Sequence, residues 1–523
     1  MIARVRRFLK EEDWAFAPHE RAVMPGSPAS PDHPNRRRTI YAAIGLLVGI
    51  TGGLGNALIS VNTTTLQGSL GLDPGQIAWL PTVYVMANAP INLLLIKFRQ
   101  QYGLRPFTLI FCGLYALFTF AHLFVQDFWS AIAVRAASGM AGAALSSLGL
   151  YYIMQAFPAK WRLKAIVVGI GIPQCAVPLA RLFSPDLLAM SQWRALYLFE
   201  FGLALLSLAA VALVRLPPSE RSKAFEPLDF VTFFLFGGSI ALVAAVLGQG
   251  RIVWWTQAAW IGWALVAAIP MFAAAIAIEH NRANPLLNTR WLGSADILRF
   301  AVVTIMARIV LSEQTFAATG LLTTLGQNND QFGTLFVIIL AASIAGVALS
   351  AITLNVEKLA HPVMLAIGLV AVASYADSFS TSLTRALQRG AGHIISFIAL
   401  FGMLNAIGGL GGSALLGTYQ VIAEKAHSAA IVQNIDPTNP IVTARIAAGG
   451  AAVGRVISDT ALSSAEGGAL LSQVATREAN VLAYNDTFRL IALLAALTTA
   501  FLAFLLIRRS WRARRLAPAG ATA

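Results

Sequence analysis

Two cysteines occur in 523 residues, and both, Cys112 and Cys175, fall inside long apolar stretches. That excludes a disulfide framework, and neither thiol has metal-ligand company in the sequence. The chain contains no GxxxxGK[ST] phosphate loop, no HExxH and no GxSxG. No ATPase or hydrolase machinery is visible, so the protein is read as no enzyme and as no pump driven by its own ATP hydrolysis. Charge is scarce too. Only 12% of the residues are charged, against 57% hydrophobic, and the apolar residues gather into long blocks rather than an amphipathic pattern. An integral, multi-pass membrane protein is the class this composition marks.

A hydrocarbon core about 30 Å thick is crossed by roughly 20 apolar residues in helical form, because the backbone must satisfy its own hydrogen bonds there. This predicts an all-α protein with helices near 39–63, 75–96, 105–125, 129–157, 165–188, 194–214, 229–247, 257–278, 297–325, 332–354, 363–380, 392–418 and 488–507. The connections are mostly short, so consecutive helices are expected to be neighbours.

The net charge of +14 would suggest nucleic acid in a soluble chain. Here the basic residues cluster in alternate loops: Arg36 to Arg38; Lys97, Arg99 and Arg105; Lys160, Arg162 and Lys164; Arg215, Arg221 and Lys223; Arg508 to Arg515. The positive-inside bias makes those loops cytoplasmic, and the N-terminus with them. Charge therefore reports orientation and not a ligand. The opening MIARVRRFLKEEDW carries too many charges around Phe8 and Leu9 for a signal peptide, and no cleavage is expected.

The chain divides into a cytoplasmic segment (1–38), a six-helix bundle (39–214), a polar linker (215–228), an inserted helix pair (229–278), a second bundle (279–507) containing an external excursion (420–487), and a basic tail (508–523). The Ala-rich parts of that excursion should be helical. Thirteen crossings would leave the tail RRSWRARR outside, against its charge. The conflict is local: Asp377 to Thr384 reads as an outer loop and Arg385 with Arg389 as an inner one, so a crossing is missing between Thr384 and Arg385.

Several polar groups lie at membrane depth. VRAASGMAGAALSSLGLYYIMQAF places Arg135 ahead of Gly139 and Gly142. Small residues let helices approach closely, which is packing, whereas a membrane-depth cation either faces a cavity or partner or snorkels to the interface. Arg181, Glu200, Arg308 and Glu313 are the other charges at depth. A buried carboxyl near a cation can load and release a proton, as coupling requires, and the same groups can equally form structural ion pairs. The spacing of five between Arg308 and Glu313 is poor for a pair within one helix.

In GLGNALISVNTTTLQG, Asn56 and Asn62 are candidates for lining a cavity, and Thr63 to Thr65 for capping a helix end. Pro173 and Pro178 should bend the fifth helix. Trp79, Tyr84, Tyr151, Tyr152 and Phe201 can stack on an aromatic substrate or anchor helix ends, and His122 and His393 read as structural.

A six-helix half, an inserted pair, a second half and the run AVRAASGMAG together resemble the major facilitator superfamily, in particular its fourteen-helix drug:proton antiporter branch, the EmrB-type exporters. The run LSQVATREANVLAYNDTF (471–488) is similar to the approach to that branch's last helix. The resemblance implies a major facilitator fold with two six-helix-type bundles and an inserted helix pair, with about thirteen helices visible, one fewer than the family. It implies that Arg135 shapes a proton pathway. Some positions depart from the pattern: Gly55 and Asn56 stand where the family has a first-helix Asp. KFRQQYGLRP keeps Gly103 and Arg105 but has Gln100 in place of the acid, and IPQCAVPLARLF replaces the fifth-helix GP and GG. Glu200, Arg181 and Glu313 are then left to carry coupling.

The expected function is proton-driven secondary export of amphipathic or aromatic compounds by alternating access, with no cofactor beyond the proton gradient. If EmrB-like, the protein would pass substrate to a periplasmic membrane-fusion adaptor and an outer-membrane channel. An exporter of one metabolite, such as an aromatic acid, fatty acid or siderophore, and a non-transporting relative lacking one helix are the alternatives.

Overall fold

The computed structural model describes residues 16–17, 20–22, 26–312, 316–353, 391–436, 438–454 and 459–516. The expected helix at 363–380, the seam at Thr384 and Arg385, and Glu313 lie outside them. Among the described residues the fold is all-helical, with eleven helices long and apolar enough to cross a membrane. They fall into two compact units, one built on residues 1–307 with 332–410, the other on 308–331 with 411–523.

The first unit opens with α1 (Asn35–Val61), a short α2 (Thr63–Leu70), α3 (Pro74–Tyr102), α4 (Leu104–Ala121), α5 (Phe128–Ala156), α6 (Arg162–Gly171) and α7 (Ala176–Leu213). Asp73 and Asp127 start α3 and α5 with reciprocal capping boxes to Gln76 and Ser130, satisfying backbone N–H groups that have no helical partner. Lipid gives helices no hydrophobic reason to associate, so close backbone packing must do it. The glycines supply it: a Cβ on Gly149 of α5 would stand 2.9 Å from the Gly49 Cα of α1, and one on Gly45 would stand 2.9 Å from the Ile153 backbone nitrogen.

Between α6 and α7 the chain tightens into a 3₁₀ turn, Ile172–Cys175. Pro173 lies in that turn, and Pro178 occupies the first turn of α7, where its missing N–H costs nothing. Within α7 the rings of Phe183 and Phe199 are 5.6 Å apart. Sixteen residues of straight helix would separate them by about 24 Å, so the chain folds back between the spans Lys164–Met190 and Trp193–Leu213.

Next come α8 (Pro227–Gln249) and α9 (Ala259–His280), then α10 (Ala295–Ser312), α11 (Ala318–Thr324) and α12 (Gly333–Thr353). The single helix expected over 297–325 is described as α10 and α11. An ion network ties α3 to α8 and α9: Lys97 Nζ lies 2.7 Å from both Asp229 oxygens, and Arg282 reaches Asp229, Glu226 and Glu279. Burial opposes the Arg282 charge, but the hydrogen bonds to those three carboxylates outweigh it and hold the guanidinium more firmly protonated than usual. This network corrects one sequence expectation. α3 runs to Tyr102, not 96, and Lys97, Arg99 and Arg105 are buried rather than displayed on a loop.

In the second unit are α11, the later part of α13 (Ala391–Gln433), α14 (Pro440–Val453) and α15 (Thr460–Leu516). Most of the 420–487 excursion is thus helical, and α15 begins at Thr460 instead of 488. Gly450 and Gly467 let α14 and α15 touch through their backbones, since a Cβ on Gly467 would stand 2.8 Å from the Gly450 nitrogen. Gln420 to Asn480 (2.9 Å) and His427 to Asp486 (2.7 Å) link α13 with α15.

Candidate functional site

Arg135 is fully buried in α5, and its fork is spent on two neighbouring helices. Nη1 donates to the Gly55 carbonyl at 2.8 Å, Nη2 to Asn56 Oδ1 at 2.6 Å, and Nε to the Leu80 carbonyl at 3.3 Å. Its guanidinium lies 4.5 Å from the centroid of the Tyr84 ring. A planar, multi-donor cation suits three acceptors and an aromatic face at once, which an ammonium would not. One of those acceptors is the neutral amide of Asn56.

Glycines make the approach possible. A Cβ on Gly139 would come within 3.1 Å of the Tyr84 Cα, and one on Gly142 would strike the Tyr84 hydroxyl. The row of small residues after Arg135 therefore seats Tyr84 under the cation.

Across Gly55 lies the only acid of this constellation among the described residues. Glu200 is fully buried, and Tyr115 donates to its Oε1 at 2.7 Å, the same hydroxyl lying 3.3 Å from the Thr51 carbonyl. Glu200 Oε2 and the Tyr84 hydroxyl are buried with no hydrogen-bond partner among the described residues. A Cβ on Gly55 would collide with the Tyr115 hydroxyl and stand 3.1 Å from Glu200 Oε1. Cation and carboxyl thus reach one glycine from its carbonyl side and its Cα side.

Asn56, Tyr84, Arg135, Gly139, Gly142 and Glu200 are brought together. Sequence reasoning missed Tyr115 and Thr51, whose neighbours in α4 and α1 carry no charge; the only signal was a tyrosine in the middle of an apolar helix. Other residues go elsewhere. Asn62 sits at the break between α1 and α2, donating to the Leu58 carbonyl at 2.8 Å and to Ser184 at 2.6 Å. It makes no side-chain cap, and Thr63 to Thr65 form the start of α2.

Gly103 turns the chain between α3 and α4 at φ 87°, a left-handed value that favours glycine. Arg105 donates to the carbonyls of Val211 (2.9 Å) and Ala212 (3.1 Å), closing the end of α7. Arg181 lies over the rings of Phe332 and Phe336, 6.0 and 5.6 Å away. Arg308 belongs to the second unit. His122 is buried with Nδ1 2.8 Å from the Phe118 carbonyl, its ring stacked on Tyr197.

The sequence pattern of the Major Facilitator Superfamily matches residues 44–413. Among curated proteins the chain is similar to multidrug resistance protein Stp of Mycobacterium tuberculosis (strain CDC 1551 / Oshkosh), 24% identical over 233 residues, which are 44% of this chain and 43% of that one. The chain therefore spans less than half the length of that relative. Among solved structures it is similar to the human organic anion transporter MFSD10 (TETRAN), with 15% identity, a TM-score of 0.47 and coverage of 75% of this chain and 95% of that one. It is likewise similar to the xylose transporter XylE from E. coli, with 13% identity, a TM-score of 0.42 and coverage of 86% and 99%. With a family match over more than half its length and an all-helical fold of membrane-crossing segments, the chain belongs to the Major Facilitator Superfamily, a family of membrane transporters.

Proposed function

We propose that the protein exports amphipathic or aromatic compounds across a bacterial inner membrane in exchange for protons, by alternating access, as a member of the fourteen-helix EmrB-type branch. The observation that carries this reading is Glu200, a fully buried carboxyl with one oxygen on Tyr115 and Arg135 across a single glycine. A carboxyl in that position can hold a proton in one state and give it up in another, depending on how near the cation comes. Asn56 supports the assignment: a neutral amide on Arg135 leaves that cation's charge uncompensated by its own partners, so its field acts on Glu200.

In this reading Tyr84 and Asn56 face the substrate path, Pro173 and the small residues of α1 and α5 let helices shift, and both termini are cytoplasmic. A periplasmic adaptor and an outer-membrane channel would receive the substrate. The resemblance to a multidrug resistance protein agrees with broad substrate choice.

Inverted membrane vesicles with a pH-sensitive dye test the proposal. Addition of ethidium, or of neutral and acidic aromatic amphiphiles in turn, should collapse an imposed proton gradient when the wild-type chain is present. Silence across the panel, from protein shown to be inserted and folded, contradicts it.

A further inference from the structure

Residues 26–33, just ahead of α1, run across the ends of the neighbouring helices. Gly26 takes a left-handed φ of 73°, and a Cβ there would stand 3.1 Å from the Gln100 backbone nitrogen near the end of α3. The Ala29 N–H donates to the Pro218 carbonyl at 3.1 Å, while the Ala29 carbonyl accepts from Gln155 Nε2, near the end of α5, at 2.8 Å. The oxygen of that same amide, Gln155 Oε1, lies 3.0 Å from His33 Nε2, and the His33 ring is 4.9 Å from that of Tyr41 in α1. The linker is laced to the same end of α3: the Ser222 N–H donates to the Gln100 carbonyl at 3.0 Å, and those of Ala224 and Phe225 to Gln101 Oε1. The segment therefore straps α1, α3, α5 and the linker together, with Ser27, Ala29 and His33 buried beneath the surface.

One amide sets the state of the histidine. Gln155 spends its N–H on Ala29, so its oxygen accepts, and the docked imidazole carries its proton on Nε2. A second proton would place a cation in a buried site, where the charges of Arg37 and Arg38 already oppose it. The acids nearby are Asp32, which is paired with Arg38, and Glu20, whose Oε1 accepts from the Asp32 N–H at 3.3 Å. Tyr41 of α1 and Tyr152 and Gln155 of α5 complete the corner without formal charge, and the linker meets it through the carbonyls of Arg215 and Pro218. What the strap holds matters to the rest of the chain. Tyr151 and Met154, in the turn before Gln155, pack in one apolar cluster with Trp291, Ile297 and Phe401, so the strap fixes the helix end that meets the segments beyond α9.

We propose that residues 26–33 form a strap that acid on its own side of the membrane releases, with protonation of His33 as the trigger. Its role in transport rests on the export reading above, in which that side is the cytoplasm and receives the coupled protons. Protons gathering at the inner face then free the end of α5 and slow the next cycle, which makes transport self-limiting.

The test uses the full chain in nanodiscs with Ala29→Cys as reporter, since the strap bonds at that position are made by the backbone. Maleimide labelling is read on the reporter peptide by mass spectrometry, and the same reporter with His33→Gln is the reference that cancels the pH dependence of the thiol itself. From about pH 7.5 to about pH 5.5, the range in which histidine titrates, relative labelling should rise about threefold or more. An equal response in reporter and reference overturns the proposal. Gln155→Glu sets a carboxylate against the imidazole and favours its charged form, so acid should then lower the relative labelling; an unaltered acid response overturns His33 as the trigger. Gradient-free ethidium exchange in inverted vesicles, with both sides buffered alike, reads the consequence. Acid should slow wild type more than His33→Gln, and equal slowing overturns the control of transport. No exchange by either chain contradicts the export reading, and the labelling alone then decides the strap.

Discussion

Arg135 and Glu200 both border Gly55: the guanidinium holds its carbonyl at 2.8 Å, and a Cβ on Gly55 would collide with the Tyr115 hydroxyl and stand 3.1 Å from Glu200 Oε1. A methyl group there has no room. Gly55→Ala is expected to destabilise the protein by about 1–3 kcal/mol, as for overpacking in a tight core, and to abolish transport by separating Tyr115 from Glu200. Thermal unfolding in detergent and a vesicle transport assay read the two effects; unchanged transport would show that the separation is irrelevant.

Arg135 should not tolerate lysine. The change keeps the charge but gives up the fork that reaches Leu80, Gly55 and Asn56 together, so a loss of about 1.5–3 kcal/mol is expected. Asn56→Asp places a carboxylate directly on the cation and should instead preserve stability while weakening the field that Arg135 exerts on Glu200. Comparison of unfolding midpoints with transport rates for the two variants separates charge from geometry.

The network on Asp229 predicts a large structural effect remote from the site. Asp229→Asn leaves Lys97 and Arg282 without their shared counter-charge and should cost about 3–5 kcal/mol, whereas replacing Lys97 and Asp229 together by Met and Leu should cost much less. A double-mutant cycle on unfolding free energy checks this, and additive losses would refute the coupling.

A pH effect is expected at the entry to α1. His33 is buried, 3.0 Å from Gln155 Oε1, and Gln155 also donates to the Ala29 carbonyl at 2.8 Å. Burial is the main cause that lowers the His33 pKa below 6.5, with Arg37 and Arg38 adding to it, against the opposing influence of Gln155 and Asp32. The undocked segment therefore binds a proton more readily than the docked one. Docking is complete above pH 6.5 and weakens as the pH falls from there through the lowered docked value. Hydrogen-exchange protection factors at residues 26–33, each rate taken relative to its intrinsic value at that pH, should fall on acidification in wild type and stay flat in His33→Gln.

Apolar blocks made most helices legible, because a bilayer tolerates little else between two polar ends. The 3₁₀ turn at Pro173 suits a ring that removes an N–H; that Pro178 falls in the first turn of α7 depends on where that helix starts, which composition does not show. Lys97 and Arg105 looked like orientation signals, since their partners, Asp229 and the carbonyls at Val211 and Ala212, are more than 100 residues away in sequence. Within the site, Arg135 and Glu200 stood out as charges in apolar surroundings. Tyr115 did not, because a tyrosine in an apolar helix is ordinary until a carboxyl is placed against its hydroxyl.

The central claim is that Glu200 carries the coupled proton, and substrate movement in proteoliposomes with and without a gradient tests it most directly. Glu200→Gln is expected to retain gradient-free exchange of ethidium across the membrane at a rate within a few-fold of wild type while losing transport driven by an imposed pH gradient. Gradient-driven transport that persists in Glu200→Gln would contradict the account and move the coupling group elsewhere in the chain.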